Sequence, residues 1–360
     1  MGLKKLLLGF LISGSLCMYS QDIHFSQFQM APMQINPANC GFFDGYSRAI
    51  LNYRTQWFSA NANYQTTAAS FDANLGLKKT RAAFIGLGGY VFQDRAGASG
   101  WSNLNANFIS NVVLNVGKFC KLATAIGAGV GQSSANFSKL TWGTQYNGTT
   151  FNTNIPSQES FNGNANYTYF DLCAGTNFEI NKISEDFDHN THFSLRIGLA
   201  AYHLNSPKIL FSGTSTEIVN PRFVNNIQAR IDIKESSVSL LPSLIVMYQN
   251  NFLEVNSGMF LRYRFSNETK TTGLKSEAAL HIGCYFRYAD AIIPQIMLEY
   301  KSMMFGFSYD ETISTYKLAN RGLGALEVSL AWTSLRSGIF KQRREFGAQK
   351  GITTPAHYGN

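Results

Sequence analysis

The sequence of 360 residues is poor in charge, because only 14% of its residues are Asp, Glu, Lys or Arg, against about 25% in an average soluble domain. The surface of an ordinary cytosolic enzyme needs more charge, so the composition argues against that class. Long apolar runs are also missing after the amino terminus. A membrane helix needs about 20 apolar residues, whereas the best stretch, 240–248, is too short and contains Pro242. Membrane-spanning helices are therefore excluded.

Proline is scarce, at 8 residues, whereas aromatic residues make up 14% of the chain and glycine contributes 31 residues. A disordered chain would lack these aromatic residues. Little charge, many aromatics and no membrane helix are together typical of a transmembrane β-barrel, whose apolar side chains occupy alternate positions.

The amino-terminal residues have the layout of a secretory signal peptide. Lys4 and Lys5 precede an apolar run over 6–16, and polar Ser20 and Gln21 follow. We expect cleavage before Gln21, since the apolar run is too short for an uncleaved anchor helix. Loss of the two lysines lowers the formal net charge from +8 to +6.

The remaining basic excess does not indicate nucleic-acid binding, because Lys and Arg are scattered and no zinc-finger or basic-helix pattern occurs. The cleaved chain keeps Cys40, Cys120, Cys173 and Cys284 without a C-x-x-C pair. A zinc or redox site therefore has little support. Disulfides are possible in an exported protein, but the sequence does not give their pairing.

Most of the chain alternates between apolar and polar residues, as β-strands do. In 326–332, four large apolar residues share one face, and Glu327, Ser329 and Ala331 share the other. Such segments recur about fourteen times, an even number as bacterial outer-membrane barrels require. The predicted strands are 46–57, 65–76, 81–93, 101–116, 121–136, 166–180, 192–204, 222–233, 236–248, 251–264, 273–286, 293–301, 302–310 and 324–334.

An all-β fold, a transmembrane antiparallel barrel, is therefore predicted. The alternative is a soluble β-sandwich, which would rarely need so many strands and would expose more charge. In a barrel, Lys or Arg on the lipid face at the bilayer midplane costs about 2–4 kcal/mol. We therefore expect the strand charges Arg196, Arg262, Arg264 and Glu327 to point into the lumen. Aromatic girdle positions near strand ends are Tyr53, Trp57, Tyr263, Tyr300 and Trp332.

The connections agree with an outer-membrane barrel whose cleaved amino terminus starts in the periplasm. Long loops are then expected outside the cell and short turns in the periplasm. The predicted outer loops include 137–165, 205–221 and 311–323, and the inner turns include 77–80, 117–120 and 234–235. The longish inner turn 181–191 and the very short outer connection 249–250 fit this rule less well.

The chain divides into a signal peptide (1–20), an amino-terminal segment (21–45), the barrel (46–334) and a basic tail (335–360). The segment 21–45 is expected to be neither strand nor helix, because Pro32 and Pro37 interrupt both. Its apolar residues Phe25, Phe28 and Met33 need burial. The segment should therefore lie against or inside the barrel, or bind a periplasmic partner.

Both ends of the cleaved chain carry specific motifs. The first end has Gln21-Asp22, His24-Phe25-Ser26-Gln27-Phe28, Asn36-Pro37-Ala38, Gly41, and Tyr53-Arg54 followed by Gln56-Trp57. The other end has Gly306-Phe307-Ser308-Tyr309-Asp310, Ser314, and Gly324 with Leu326-Glu327-Val328-Ser329-Leu330. In this order and separation, the motifs resemble the PorP/SprF family of type IX secretion system membrane proteins of Bacteroidetes. One departure is Ile23, where the family often has proline.

The resemblance implies a non-enzymatic outer-membrane component of type IX secretion. Members of the family help to secrete or anchor a surface protein, such as an adhesin with a type B C-terminal domain in gliding bacteria. Some belong to the core machinery together with periplasmic ring lipoproteins. The resemblance does not say which subgroup this chain belongs to. A fourteen-stranded channel for the uptake of small apolar molecules remains the alternative function.

The carboxyl-terminal tail follows Trp332, which would be the terminal aromatic residue of the last strand. Its basic residues Lys341, Arg343 and Arg344 could contact a periplasmic partner, or the tail could be merely solvated. The outer loops 137–165 and 205–221 are candidates for contact with the secreted protein.

No catalytic, cofactor or metal site is predicted. The six histidines form no HExxH motif, and no G-x-S-x-G motif occurs. His281 with Glu277 and Glu327 could form an acid–base group, but ordinary hydrogen bonding in the lumen is the better interpretation. Asp186, Asp188 and Asn190 alternate as calcium ligands do, yet the Gly and the closing Glu of an EF-hand are missing. The glycines near 86–89 and 127–131 lie within strands, so close backbone approach explains them better than phosphate binding.

Overall fold

A computed structural model describes residues 22–57, 63–76, 82–97, 100–136, 140–158, 164–185, 190–210, 216–266, 278–315, 317 and 322–334. The predicted signal peptide, 1–20, and the predicted tail, 335–360 with Lys341, Arg343 and Arg344, lie outside the described residues.

Fourteen antiparallel strands form one closed barrel, in which each strand pairs with its neighbours in the chain and β1 pairs with β16. Two further strands, β8 and β9, form a separate hairpin in the connection between β7 and β10. No helix in the described part of the chain is long and apolar enough to cross a membrane. The strands are β1 (Ser47–Gln56), β2 (Tyr64–Leu75), β3 (Ala83–Ala96), β4 (Trp101–Asn115), β5 (Cys120–Asn136), β6 (Asn164–Glu185), β7 (Asn190–Tyr202), β8 (Lys208–Leu210), β9 (Thr216–Ile218), β10 (Arg222–Asp232), β11 (Val238–Gln249), β12 (Phe252–Ser266), β13 (Ala278–Arg287), β14 (Ala291–Tyr300), β15 (Met303–Thr312) and β16 (Leu323–Ser334).

The predicted barrel of about fourteen strands is confirmed, and each predicted strand overlaps one strand of the wall. The apolar run 240–248, too short for a membrane helix, lies within β11. Two connections differ from the prediction. The expected turn 181–191 is shorter, because β6 continues to Glu185 and β7 begins at Asn190. The expected loop 205–221 contains the hairpin β8–β9. The sequence did not predict this hairpin, because its two strands are too short to show alternation.

The two faces of the wall have opposite chemistry. On β1, Leu51 and Tyr53 are 55% and 44% exposed, whereas the neighbouring Asn52 and Arg54 are 5% and 2% exposed. The same alternation places large apolar side chains on the outside of the other wall strands. The lipid-facing surface is therefore apolar, as the low charge content predicted.

The inner face is polar, and both asparagines and charged residues contribute to it. Buried asparagines lie on six of the wall strands, at positions 52, 74, 105, 107, 111, 177, 226 and 256. The predicted inward charges are present as well. Glu327 and Arg262 are buried, Arg196 pairs with Glu179, and Arg264 lies 4.0 Å from Asp232. Amides need hydrogen bonds without a counter-charge, so the asparagines add polarity to the lumen without adding charge.

The ends of the barrel differ in the length of their connections. One end carries the two longest connections, those after β5 and β7, although the connection between β12 and β13 at the other end is slightly longer than the one after β15. The other end carries short turns such as 301–302, together with the first and last wall residues, Ser47 and Ser334. Below we call them the long-loop end and the short-turn end. In outer-membrane barrels the long loops are extracellular and the short turns periplasmic.

A substitution on the outer face tests the lipid-facing assignment. Ile126 is 69% exposed in the middle of the apolar outer face of β5. The variant Ile126→Arg should lose about 2–4 kcal/mol of unfolding free energy, because a cation would face hydrocarbon. Urea unfolding in lipid vesicles measures the loss. The matched control, Thr149→Arg in an exposed loop, should leave stability unchanged, and equal stability of the two variants would contradict the assignment.

Candidate functional site in the barrel lumen

The barrel lumen is occupied by the amino-terminal residues 22–43, which we call the lumen segment. It contains two short 3-10 turns, Phe28–Met30 and Pro37–Asn39, and one α-helical turn, Pro32–Ile35. The expectation that Pro32 and Pro37 prevent helix was wrong, because each proline occupies the first helical position, where its missing N–H costs nothing. The sequence predicted that the segment lies against or inside the barrel, or binds a periplasmic partner. In the structure, the segment lies inside the barrel.

The apolar side chains of the lumen segment form the core of the molecule together with inward-facing wall residues. Phe25, Phe28 and Met33 are 4%, 2% and 1% exposed. The ring of Phe28 meets Tyr285 of β13 edge to face, with centroids 5.3 Å apart. The segment therefore satisfies the need for burial that its sequence indicated.

Four charged wall residues, Arg54, Arg287, Asp310 and Glu327, bind the segment at Ser26 and Gln27; we call them the charged anchor. The carboxylate of Glu327 accepts hydrogen bonds from two consecutive backbone N–H groups, those of Ser26 (2.8 Å) and Gln27 (3.1 Å). Arg54 lies 3.4 Å from Glu327 and 3.0 Å from Asp310, and Arg287 lies 3.1 Å from Asp310. The two cations thus neutralise the two buried carboxylates.

The Ser26 hydroxyl lies at the centre of the charged anchor. It donates to Asp310 (2.8 Å) and accepts from Arg287 (2.7 Å) and from Arg54. Arg54 and Glu327 are also register partners across the seam between β1 and β16, where the first and last strands close the barrel. One network therefore holds both the seam and the segment.

The side chain of Gln27 extends the anchor along β15 and β16. Its amide nitrogen donates to the backbone carbonyl of Glu327 (2.9 Å) and to Ser308 (3.3 Å), and its oxygen accepts from Ser329 (2.6 Å). Both polar atoms of a fully buried amide are satisfied in this way.

Asn36 binds the opposite wall through an amide cluster formed with Asn177 of β6 and Asn226 of β10. The Asn36 amide nitrogen lies 3.2 Å and 3.0 Å from the side-chain oxygens of these two residues. The Asn36 oxygen accepts from the backbone N–H of Ala38 (2.9 Å) and caps the turn that begins at Pro37. One asparagine thus fixes the local turn and attaches it to the wall.

Gly41 carries the chain out of the lumen near the short-turn end. Its φ of +65° is a left-handed conformation that favours glycine. Its N–H donates to Asp72 (2.8 Å), and its carbonyl accepts from Asn74 (2.9 Å). A side chain on Gly86 of β3 would overlap the Cys40 carbonyl oxygen, so this strand glycine allows close backbone approach, as its position predicted.

At the long-loop end, Asp22 is held by what we call the outer ion cluster, which it forms with Asp171, His203 and Arg222. The carboxylate of Asp22 lies 2.6 Å from His203 Nε2 and 3.4 Å from Arg222, and its backbone N–H donates to Gln249 (3.0 Å). His203 Nδ1 lies 2.9 Å from Asp171.

His203 is positively charged at neutral pH. Burial of the imidazole would lower its pKa, but the carboxylates of Asp22 and Asp171 outweigh this effect and raise the pKa to about 9. The outer ion cluster therefore contains two cations, His203 and Arg222, that face the carboxylates of Asp22 and Asp171.

The residues of the predicted motifs fall into four groups. His24, Phe25, Ser26, Gln27, Phe28, Asn36, Pro37 and Gly41 belong to the lumen segment, where His24 lies 3.4 Å from Glu254. Arg54, Asp310 and Glu327 belong to the charged anchor. Tyr53 faces outward, and Tyr309 shares the outward face of β15 with Phe305 and Phe307. Gln56 ends β1, and Trp57 follows it and stacks edge to face on Tyr64.

Several wall residues that bind the segment were not recognised from the sequence. They share one signal, a polar residue at an inward position of a strand or directly after it, but this signal does not reveal the partner. They are Asp72, Asn111, Asn177, His203, Arg222, Asn226, Glu254, Arg287 and Gln295.

The acid–base group considered for His281 is not assembled. His281 lies 3.2 Å from Glu299, which also accepts hydrogen bonds from Arg262, whereas Glu327 binds the lumen segment. Glu277 lies outside the described residues, as do Asp186 and Asp188 of the possible calcium loop. Within the described ranges, no group of three or more His, Cys, Asp or Glu side chains could hold a metal ion.

The closed antiparallel wall, its apolar outer face and its polar lumen define an outer-membrane β-barrel protein. Comparison with protein families then shows to which family of outer-membrane barrels the chain belongs. The family described as type IX secretion system membrane protein PorP/SprF matches residues 17–332, and the chain belongs to this family.

Solved barrels are similar in outline only. The deltaS2 mutant of the monoaromatic hydrocarbon channel TodX matches at 8% identity over 85% of this chain and 94% of that chain, with a TM-score of 0.47. The translocator domain of the autotransporter NalP from Neisseria meningitidis matches at 8% identity over 85% and 96%, with a TM-score of 0.34. No curated protein matches the chain.

Removing the Glu327 carboxylate should loosen the lumen segment. In Glu327→Ala, the buried N–H groups of Ser26 and Gln27 lose their acceptor and Arg54 loses one of its two carboxylate partners, which should cost about 3–5 kcal/mol of unfolding free energy. Cys40, buried in the segment at 0% exposure, should then react faster with maleimide, measured with the other cysteines replaced. The control Glu235→Ala removes a carboxylate that is 71% exposed in a turn and should behave as the parent. Equal protection of Cys40 in both variants would contradict the role of Glu327.

The outer ion cluster should give the protein a specific pH dependence. Because the pKa of His203 is raised from 6.5 to about 9, its contribution is complete below about pH 6.5 and is lost as the pH rises through about 9. Thermal unfolding in detergent should therefore show a stability difference between the parent and His203→Gln at pH 6 that shrinks at pH 10. The shift corresponds to at most about 3 kcal/mol. A difference that is constant over this range would show that the charge of His203 has no role.

Proposed function

We propose that this protein is a non-enzymatic outer-membrane scaffold of type IX secretion, exported with a cleaved signal peptide. It helps to secrete or anchor a surface protein, such as an adhesin with a type B C-terminal domain, and docks to periplasmic components such as the ring lipoproteins. The observation that carries the proposal is the filled lumen. The segment that fills it carries the amino-terminal family motif, and three of the four residues of the charged anchor, Arg54, Asp310 and Glu327, also belong to the family motifs.

The filled lumen argues against the alternative, an uptake channel for small apolar molecules. A channel needs a path through the wall or the lumen. Here the lumen segment contacts β16 at Glu327, β6 at Asn177 and β2 at Asp72, on different sides of the barrel. These contacts suit a rigid scaffold, because they fix the positions of the wall strands relative to one another.

The long-loop end has surface chemistry suited to a protein partner. Residues 140–158 contain no charged side chain. Tyr146 and Phe151 pair across a short bridge, with ring centroids 5.2 Å apart, and are 49% and 53% exposed. Exposed aromatic residues in a surface without charge are typical of the centres of protein interfaces. This loop supports a contact with the secreted protein.

The short-turn end is suited to a different partner. Its turns expose lysines, including Lys118 and Lys301. The chain continues from Ser334 at this end toward the basic residues Lys341, Arg343 and Arg344. A basic periplasmic face attracts acidic surfaces of a partner through the summed field of its charges. This charge supports docking to periplasmic machinery.

The test combines deletion with purification from native outer membranes. Deleting the protein should remove one large surface protein, because its docking site is lost. The full chain should co-purify with that surface protein and with ring lipoproteins, as identified by mass spectrometry. An unrelated outer-membrane barrel with the same tag serves as the control. Recovery of neither partner would contradict the scaffold.

Reconstitution separates the scaffold from the channel. The full chain in planar bilayers should show no conductance above that of the bare membrane, because the lumen is filled. Steady conductance, or uptake of apolar ligands into liposomes, would favour the channel instead.

A further inference from the structure

The two ends of the lumen segment lie at opposite ends of the barrel. Asp22 contacts His203, Arg222 and Gln249. His203 directly follows β7, Arg222 is the first residue of β10, and Gln249 is the last residue of β11. All three positions belong to the long-loop end.

The other end of the segment is equally well defined. Gly41 contacts Asp72 and Asn74, close to the last residue of β2 at Leu75, which lies at the short-turn end. From Asp22 to Gly41 the chain therefore descends through the lumen, and it then turns into β1 at Ser47 and ascends in the wall. Hydrogen bonds and ion pairs hold both ends, so the direction of the segment is fixed.

We propose that the mature amino terminus lies at the extracellular mouth of the lumen and not in the periplasm, although the first and last wall residues, Ser47 and Ser334, lie at the periplasmic, short-turn end. The inference rests on the proposed cleavage before Gln21, which leaves one residue ahead of Asp22. Consecutive Cα atoms are about 3.8 Å apart, whereas the apolar band of such a barrel is about 25 Å tall. One residue cannot bring the terminus back to the periplasm.

The mouth around this terminus has the character of a contact site. A small pocket that is open to solvent lies beside Asp22, and its lining includes Met247, Phe252 and Glu254. Phe252 is 49% exposed at the rim. A secreted protein that approaches from outside can reach this mouth and the amino terminus. A periplasmic ring protein cannot reach them, so the amino-terminal motif binds the barrel's own wall and not the periplasmic machinery.

Epitope insertion tests this placement in intact cells. The epitope is placed between Ser20 and Gln21, with the same epitope between Gly148 and Thr149 as the outer control and after Asn360 as the inner control. The amino-terminal and loop epitopes should be labelled on intact cells, and the tail epitope only after permeabilisation. An amino-terminal epitope that needs permeabilisation while the loop epitope does not would overturn the proposal. Labelling of the tail on intact cells would overturn it too, because the barrel would then be inverted.

Cysteine labelling provides a second test that adds no residues to the terminus. In a cysteine-free background, Ile23→Cys should react on intact cells with a maleimide polymer that cannot cross the membrane. Asp44→Cys, exposed at the short-turn end, should react only after permeabilisation. The reverse pattern would overturn the placement. The intact mass of the purified chain must also lack residues 1–20, and a retained leader would overturn the proposal independently of partner binding.

Discussion

The carboxylate of Glu327 joins parts of the molecule that are far apart in the sequence. It accepts from the backbone N–H groups of Ser26 and Gln27 and pairs with Arg54 across the seam that closes the barrel. A buried carboxylate is stable only when its charge is paired and its oxygens accept hydrogen bonds. The closed seam and the filled lumen therefore stabilise each other, since each supplies partners that the other needs.

This interdependence explains why the family motifs occur at both ends of the chain. The amino-terminal motif supplies the segment that fills the lumen, and Arg54, Asp310 and Glu327 come from the strands that meet at the seam or beside it. Asn36 and Gly41 extend the same attachment to the rest of the wall through amides and Asp72. A wall held together from inside is stiff, and stiffness suits the scaffold role that we propose.

The sequence predicted the wall better than the lumen, for a physical reason. Alternation of apolar and polar residues reports which face of a strand meets lipid, so the strands and the inward position of Glu327 could be predicted. It does not report which residue an inward polar side chain contacts. The partners of Asn36, namely Asn177 and Asn226, are more than a hundred residues away from it. The helical turns at Pro32 and Pro37 were missed because proline interrupts a helix but also begins one.

The central claim is that residues 22–43 are fixed inside the barrel by hydrogen bonds to its wall. Hydrogen exchange of the full chain in lipid nanodiscs, followed by mass spectrometry of its peptides, tests this claim most directly. Peptides that include the Ser26 and Gln27 amides should exchange as slowly as those of the wall strands, and far more slowly than peptides from the exposed loop 140–158. Exchange of the lumen segment at the rate of that loop would contradict the account.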